Sequence, residues 1–284
     1  MPLASNSYGK SGIRLVRVAR RGATHDIQDL TVAVRFEGDF EAAHVAGDNS
    51  AVLPTDTMKN TVYVLARERA VEEIEALGLA LSQHFLGENP SVSLVEISIE
   101  QRLWNRIDST AFEGSRSDRR TARISRRRDG AIVESGLTGL LILKSARSGF
   151  SGFHRDRYTT LEETEDRILA TSMTAAWTHA SPQGPFAAWE AVRRTLLETF
   201  AAHESASVQH TLYAMGEAAL GGHPELSQIR FTMPNKHHLL VDLSRFGVAN
   251  ENEIFVATEE PYGLIEATVT RKRSRQVDRE RRIR

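Results

Sequence analysis

The chain has 284 residues, a formal net charge of −1 and no cysteine. This length suffices for one large domain or two of ordinary size, each with a substantial core. Without cysteine, disulfides, thiolate chemistry and cysteine-based zinc or iron–sulfur sites are excluded. The near-zero charge gives no whole-chain argument for binding nucleic acid or a membrane. No stretch approaches the roughly 18 apolar residues of a membrane span, and the N-terminus lacks the apolar core of a signal peptide, so we expect a cytoplasmic protein.

The first half of the chain shows two kinds of apolar periodicity. Apolar residues alternate with smaller or polar ones at 32–36 and at 95–99, which is typical of strands, and residues 61–65 also resemble a strand. From 69 to 86 the apolar residues fall three or four apart, with glutamates between them. That spacing predicts an amphipathic helix.

The second half repeats this order. Residues 140–143 resemble a strand, a helical apolar stripe extends from 189 to 200, and alternation returns at 229–233 and at 239–243. Strands lie on both sides of one predicted helix in each half, and we interpret both halves as the order strand, strand, helix, strand, strand. Sequence identity between the halves is weak, but the duplicated order and the antiparallel type of alternation predict an α+β domain used twice.

Two segments are strongly basic. Residues 116–128 contain seven arginines, and a second basic segment starts at about residue 271. Runs of this kind are usually solvated loops or tails, and neither segment has the interleaved aromatic residues of a nucleic-acid site. We therefore expect a surface loop and a surface tail, with no nucleic-acid partner. A non-enzymatic, nucleic-acid-binding protein would instead show salt-dependent affinity that deletion of the tail after Thr270 abolishes.

The residues that could perform chemistry lie in short, widely separated polar segments. None of these segments is a mononucleotide, metal or nucleophile motif. Together they supply an amine, a hydroxyl, an imidazole, an aromatic face, a guanidinium fork and two amides, which suits a flat, acidic heterocycle. The segments are residues 8–10, 55–56, 152–153, 166–167, 208–209 and 234–237.

Each of these residues also has an ordinary structural explanation. Lys10 is explained as an exposed amine near the chain end, and Thr55 with Asp56 as a turn or a helix N-cap. Phe153 is explained as a core phenylalanine, and Arg167 as a surface salt-bridge partner. On these readings none of the five takes part in binding or catalysis.

The remaining candidates also have ordinary structural explanations. Gln209 follows Val208 in a stretch that resembles a strand, where a buried glutamine without a ligand would cost stability. Asn235 and His237 lie near a strand end, where a histidine is usually a satisfied surface or core group. His238 would point to the opposite face of a strand from His237, so the two do not form a metal pair.

In order and context these segments resemble urate oxidase (uricase). The resemblance extends from Tyr8 to about Val269, and its clearest stretches are residues 48–50, 55–61, 155–161, 166–169 and 205–209. Eukaryotic members typically end in a peroxisomal tripeptide, whereas this chain ends in Arg282, Ile283 and Arg284. The resemblance is therefore to the bacterial, cytoplasmic type.

The resemblance implies a fold and an assembly. The fold would be two tandem tunnelling-fold (T-fold) domains with antiparallel sheets, helices on one face, and a barrel closed by oligomerisation. We place the domains at 1–134 and 135–284, with the basic tail from about 271. The assembly would be a homotetramer with its active sites at subunit interfaces.

The resemblance also implies a role for each candidate residue. Proton transfer falls to the amine, hydroxyl and imidazole of Lys10, Thr55 and His237. Thr55 and Asp56 would reach the substrate from the neighbouring subunit. The other substrate-binding groups are the stacking ring of Phe153, the fork of Arg167, the backbone N–H of Val208, the amide of Gln209, and Asn235 at the dioxygen or water site.

The implied reaction oxidises urate with dioxygen and water to 5-hydroxyisourate and hydrogen peroxide, without a metal or an organic cofactor. Most oxidations need a cofactor to manage electrons. Deprotonated urate is itself easily oxidised, so the protein needs only to hold the anion, keep dioxygen or water above it and move protons. The alternative is another T-fold enzyme for a purine or pterin. Such an enzyme would use zinc, for which the chain has no cysteine and no suitably spaced histidines.

Overall fold

The computed structural model describes residues 3–69, 73–114, 116–186 and 188–271. Its strands are β1 (Tyr8–Arg21), β2 (Thr24–Gly38), β3 (Val92–Arg102), β4 (Asn105–Arg106), β5 (Phe112–Glu113), β6 (Arg119–Arg127), β7 (Gly130–Lys144), β8 (Leu169–His179), β9 (Leu226–Lys236), β10 (His238–Leu240), β11 (Phe255–Ala257) and β12 (Gly263–Thr270). Its helices are α1 (Glu41–Val45), α2 (Thr55–Glu68), α3 (Ile74–Glu88), α4 (Trp189–Ala202) and α5 (Val208–Gly222), with a short 3-10 turn at Ser244–Phe246.

The main element is an eight-stranded antiparallel sheet in the order β1-β2-β3-β6-β7-β8-β9-β12. The first four strands, with α2 and α3, form one half, and the last four, with α4 and α5, form the other. The halves join where β6 pairs with β7, for example at Ile124 opposite Val133. Two apolar cores lie between the sheet and its helices, one around Phe36 and Phe85 and one around Trp177. The prediction of an α+β domain used twice is confirmed.

The prediction of a strand at 61–65 is wrong, because these residues lie inside α2. Valine, threonine and tyrosine favour strands locally, but packing overrides such preferences. Residues Met58, Val62 and Leu65 are all buried, and their spacings of four and three place them on one face of a helix. Each half therefore has two long helices rather than the single one predicted.

The interpretation of residues 208–209 as part of a strand is also wrong, because they begin α5. The Ser207 hydroxyl accepts a hydrogen bond from the backbone N–H of His210 at 3.1 Å, which caps the helix. Buried Val208, Leu212 and Met215 then follow at helical spacing. The capping serine is the signal in the sequence that could have identified this helix start.

The expectation that 116–128 is a surface loop is wrong, because most of it is β6, an inner strand of the sheet. Ala122 and Ile124 are buried on the helix-covered face. The arginines on either side find partners: Arg120 bonds the Glu75 carboxylate at 2.6 Å, and Arg126 bonds the Ser82 hydroxyl at 2.9 Å. Pairing with acceptors makes an arginine-rich strand tolerable inside a sheet.

Three further predicted strands are confirmed, and a fourth is shorter than predicted. The alternating segments 32–36, 95–99 and 229–233 lie in β2, β3 and β9, as predicted. The segment 239–243 forms a strand only as far as Leu240. The basic tail lies outside the described residues except for Arg271, whose guanidinium donates to backbone carbonyls at the end of α5. In the part of the chain that the structure describes, no helix is long and apolar enough to cross a membrane.

The sheet is open, with β1 and β12 as its outer strands. The face without helices carries charged pairs, such as Arg14 with Asp29 and Arg123 with Glu96. The two outer strands each have one unpaired edge, which is a ready site for pairing with another chain.

Candidate active site

Six of the predicted site residues belong to the second half and gather at one end of its sheet. Ala170 pairs with Lys236 and Thr171 pairs with Asn235, so the beginning of β8 lies beside the end of β9. Arg167 comes just before β8, and His237 comes just after β9. The antiparallel register therefore brings these two segments together, although about 70 residues of chain separate them.

The long loop between β7 and β8 is hydrogen-bonded to the turn that precedes α5. The backbone N–H of Gly149 donates to the Ser205 carbonyl at 2.8 Å, and the Ser205 N–H donates to the Arg147 carbonyl at 3.0 Å. The same loop closes on itself between Phe150 and Thr164, whose backbones exchange hydrogen bonds of 2.7 and 3.1 Å. These bonds connect the loop that carries Phe150 and Phe153 to the start of α5.

The aromatic part of the site contains a residue that the sequence analysis left out. The rings of Phe150 and Phe153 are stacked, with centroids 4.9 Å apart and planes 14° apart. The Arg167 guanidinium carbon lies 5.1 Å from the centre of the Phe150 ring. Phe150 therefore links Phe153 to Arg167. The sequence Ser-Gly-Phe occurs twice in succession at residues 148–153, and this repeat is the signal that could have indicated a second aromatic residue at the site.

Arg167 has an unused hydrogen-bond donor. Its Nε atom is buried and has no partner within residues 3–69, 73–114, 116–186 and 188–271. Burial lowers the pKa of its guanidinium, although arginine stays charged in proteins. The adjacent Asp166 carboxylate accepts the Ser148 N–H at 3.1 Å. A buried donor without a partner costs free energy, so the geometry favours an acceptor brought in by a ligand.

The first turn of α5 offers backbone donors. Val208 and Gln209 are its first two residues, and the first N–H groups of a helix have no partner within it. No acidic side chain lies in this turn, so its partial positive charge is not neutralised locally. Gln209 is exposed, so its amide is accessible to a ligand.

Asn235 and His237 complete the second-half group. Asn235 is buried on the helix-covered face, between Thr171 on β8 and Gly263 on β12. The carbonyl of His237 accepts the Thr258 N–H at 2.9 Å, which holds its backbone in place. The His237 ring is half-buried.

The remaining predicted residues form a separate first-half group. Lys10 lies on β1 opposite Val34, and Thr55 and Asp56 begin α2. The hydrogen bond from Lys59 lowers the pKa of the Asp56 carboxyl, and the positive charge of Lys10 adds to this effect. Lys10 and the start of α2 are therefore near one another.

Tyr8 explains why this first-half group holds together. Its hydroxyl accepts the Leu53 N–H at 2.9 Å, so the loop before α2 is tied to the segment that contains Lys10. The Tyr8 ring packs edge-on against Phe36 and Phe40, at centroid distances of 5.7 and 4.8 Å. The neighbouring Gly9 has no space for a side chain, because an added Cβ would lie 2.0 Å from the Val34 carbonyl oxygen.

The two groups lie at opposite ends of the sheet order. Lys10 is on the outer strand β1, whereas Asn235 is next to the outer strand β12. Six strand spacings separate β1 from β9, and they amount to roughly 29 Å along the sheet, at about 4.8 Å each. The candidate residues of one chain therefore form two separate groups, or half-sites. Within the described ranges, no group of three or more His, Asp or Glu residues is arranged to hold a metal ion.

Comparison with known proteins identifies the family. The family model described as Uricase matches residues 6–131 and 133–266. The chain belongs to the uricase family. It is 46% identical to a uricase from Arthrobacter globiformis over 276 residues, which cover 96% of this chain and 91% of that protein. It is 37% identical over 283 residues to a uricase from Dictyostelium discoideum, which covers 96% of this chain and 99% of the relative.

Solved uricase structures have the same fold. The crystal structure of the Arthrobacter globiformis uricase matches with a TM-score of 0.93, covering 97% of this chain and 96% of that one. This likeness confirms the tandem T-fold architecture that the sequence resemblance implied.

Proposed function

We propose that this uricase-family chain is a urate oxidase that converts urate, dioxygen and water into 5-hydroxyisourate and hydrogen peroxide. The observation that carries the proposal is the unpartnered, buried guanidinium nitrogen of Arg167 beside the stacked rings of Phe150 and Phe153. A cation with a free donor next to an aromatic face suits a planar anion. The urate anion is both planar and negatively charged.

The second-half group would bind the ring. Phe153 would stack on the purine, a contact that contributes about 0.5–1.5 kcal/mol beyond burial for an aromatic pair. The Arg167 fork would take two acceptors at one edge of urate, which a lysine does not match geometrically. The Gln209 amide and the Val208 N–H, at the positive end of α5, would take the opposite edge.

The first-half group, together with His237 of the second-half group, would move protons. In this proposal urate loses a proton, two electrons pass from the resulting anion to dioxygen, the oxygen of water bonds to the ring with loss of a second proton, and these two protons end on peroxide. Lys10, Thr55 and His237 would carry those protons, and Asn235 would hold dioxygen or water above the ring. No metal or organic cofactor takes part in this scheme, because the deprotonated substrate passes its electrons directly to dioxygen.

The site would be completed between subunits. Because the two half-sites lie at opposite ends of the sheet order, the first-half group of one subunit would meet the second-half group of its neighbour. We propose a homotetramer in which the outer strands of neighbouring subunits meet and close the barrel. We also propose T-fold units at 1–134 and 135–284, whose boundary falls inside β7. A cytoplasmic location without nucleic-acid or membrane partners stays a prediction.

The first experiment follows urate absorbance in air-saturated buffer, after dialysis of the protein against a chelator, with peroxide assayed in parallel. Loss of urate with formation of peroxide is the expected result. If urate persists although the protein is folded and oligomeric, the proposed activity is wrong. Another T-fold enzyme acting on a purine or pterin would then be the better interpretation, and zinc analysis of the purified protein would test it.

A further inference from the structure

Thr171 is a buried hydroxyl without a hydrogen-bond partner. It lies on β8 with 0% of its surface exposed, and in the described part of the chain its Oγ1 atom makes no hydrogen bond. Burying a hydroxyl in this way costs about 1–3 kcal/mol in mutational series. Valine has nearly the same shape without that cost, so the hydroxyl needs an explanation beyond packing.

The register places this hydroxyl beside the candidate active site. Thr171 is directly opposite Asn235 on the adjacent strand β9. Thr171 alternates in step with buried Leu169 and Met173, so it points to the helix-covered face, and Asn235 points the same way after buried Met233. Opposite side chains of antiparallel strands have Cβ atoms about 4.5–5.5 Å apart, which is within reach for a threonine and an asparagine.

The other cross-strand neighbour of Asn235 is a glycine, which presents no side chain to it. Gly263 on β12 pairs with Asn235 and has no side chain. An added Cβ there would lie 3.9 Å from the Asn235 Cβ, at ordinary van der Waals distance. Of the two cross-strand neighbours of Asn235, therefore, only Thr171 presents a hydrogen-bonding side chain to it.

We propose that Thr171 is a positioning residue for Asn235 in urate oxidation, an inference that rests on the proposed function. The Thr171 hydroxyl, which has no partner within the described residues, turns to donate to Asn235 Oδ1 when urate binds and so directs both Nδ2 donors toward dioxygen or water above the ring. An asparagine amide offers one acceptor and two donors and can turn over by half a rotation. A fixed donor beside Oδ1 selects one of those two orientations.

Two substitutions test this role. Thr171→Val removes the hydroxyl and keeps the shape, and Thr171→Ser keeps the hydroxyl. We expect Thr171→Val to lower kcat about tenfold, the equivalent of losing one hydrogen bond at the transition state, with KM for urate and the affinity for a non-reacting urate analogue changed less than about twofold. Thr171→Ser should stay within about twofold of the unsubstituted kcat.

Measuring Tm distinguishes a positioning role of Thr171 from a purely structural one. Because valine removes an unpaired buried polar group, the Tm of Thr171→Val should be no lower than that of the unsubstituted protein. The matched control is Thr174→Val on the same strand, whose hydroxyl bonds Thr138 at 2.9 Å and does not face Asn235. This control should leave kcat unchanged. If Thr171→Val does not fold, Thr171→Ala replaces it with the same expected fall in kcat.

A double substitution completes the test. In an Asn235→Ala background, Thr171→Val should have no further effect on kcat, because the residue it positions is gone. A Thr171→Val protein with unsubstituted kcat, in an enzyme that does consume urate, would overturn the inference alone. If the unsubstituted protein consumes no urate, the proposed function is wrong and the inference falls with it.

Discussion

The N-termini of α3 and α5 hold equivalent places in the two halves but differ in charge. At α3, Glu73 and Glu75 are both bonded by Arg120, so acidic side chains neutralise the start of the helix. At α5, the cap is the Ser207 hydroxyl, bonded by the His210 N–H, and the first turn has no acidic residue. In the first half, acidic side chains of the chain itself occupy the start of the helix. In the second half, the first turn of the equivalent helix has no acidic side chain.

This difference teaches why a duplicated fold need not have duplicated sites. The first half uses the start of α3 for an internal ion-pair cluster, and its own candidate residues instead lie at β1 and at the start of α2. The second half leaves the start of α5 free for a negative ligand. In the proposed site each half makes one contribution, and because the two groups are placed far apart in the sheet order, the two contributions come from different subunits in that proposal.

The largest expected effect is the loss of proton transfer from the first-half group. Lys10→Met or Thr55→Ala should lower kcat by about 100-fold or more, since positioned acid–base groups contribute roughly 10²–10⁴-fold. Binding of a urate analogue should stay within about threefold, because the binding groups of the second half are intact. Steady-state kinetics and analogue titration measure both quantities. An unchanged kcat would show that Lys10 and Thr55 are not in the relay.

A mixing experiment tests the separation of the half-sites. Lys10→Met and Arg167→Ala subunits are each expected to be nearly inactive alone. When they assemble at random in equal amounts, about a quarter of the sites would combine an intact first-half group with an intact second-half group. Co-expressed protein should therefore recover about a quarter of the unsubstituted activity.

The control for mixing combines two variants of the same half-site. Lys10→Met with Thr55→Ala should not recover activity, because both changes affect the group that one subunit supplies. Recovery in this control, or no recovery in the Lys10→Met and Arg167→Ala mixture, would contradict a site shared in the proposed way.

A smaller effect is expected from removing one backbone donor. Val208→Pro deletes the N–H at the first position of α5, where proline is tolerated by helices, and the preceding Ser207 is extended, as proline requires. Affinity for a urate analogue should fall about tenfold, the value of one hydrogen bond to a charged ligand. Ile74→Pro, the same change at α3, should leave this affinity unchanged.

The side-chain control for this donor is Val208→Ala, which keeps the N–H but removes more of the buried side chain. Its affinity should stay close to that of the unsubstituted protein. Equal losses in Val208→Ala and Val208→Pro would mean that packing, rather than the backbone donor, matters at this position.

The smallest expected effect concerns stability where the halves meet. His179 Nε2 lies 2.8 Å from the Ser135 hydroxyl, which in turn donates to Glu75 at 2.5 Å. Burial lowers the pKa of His179 to about 4, from an ordinary value of 6.5. The unfolded chain therefore binds more protons between those values, and stability is lost as the pH falls from about 6.5 toward 4.

We expect this histidine to account for about 2 kcal/mol of unfolding free energy lost at pH 5 relative to pH 7, or several degrees in Tm. Burial raises the pKa of Glu75, which acts with the opposite sign because the folded state then holds the extra proton. His179→Gln should flatten the Tm curve between pH 4 and 6.5 at fixed protein concentration. The exposed His84→Gln serves as the control and should follow the unsubstituted curve; identical curves for all three proteins would disprove the assignment.

Local patterns in the sequence indicated much of the fold. The alternation of Ile229, Phe231 and Met233 predicted β9 correctly, because facing one side of a sheet is a property of neighbouring residues. The same method was wrong at residues 61–65, where strand-favouring side chains lie in a helix, and at 116–128, where arginines lie in an inner strand. In both places the decision depended on partners far away along the chain.

The sequence by itself determined the family of this protein and the segments that carry its candidate site, because those depend on which residues are present and in what order. Only the tertiary structure decided that Lys10 and Arg167 belong to separate half-sites, that Phe150 joins Phe153 to Arg167, and that Thr171 faces Asn235. Those relations follow from strand order, loop contacts and register, which bring together residues that are distant along the chain.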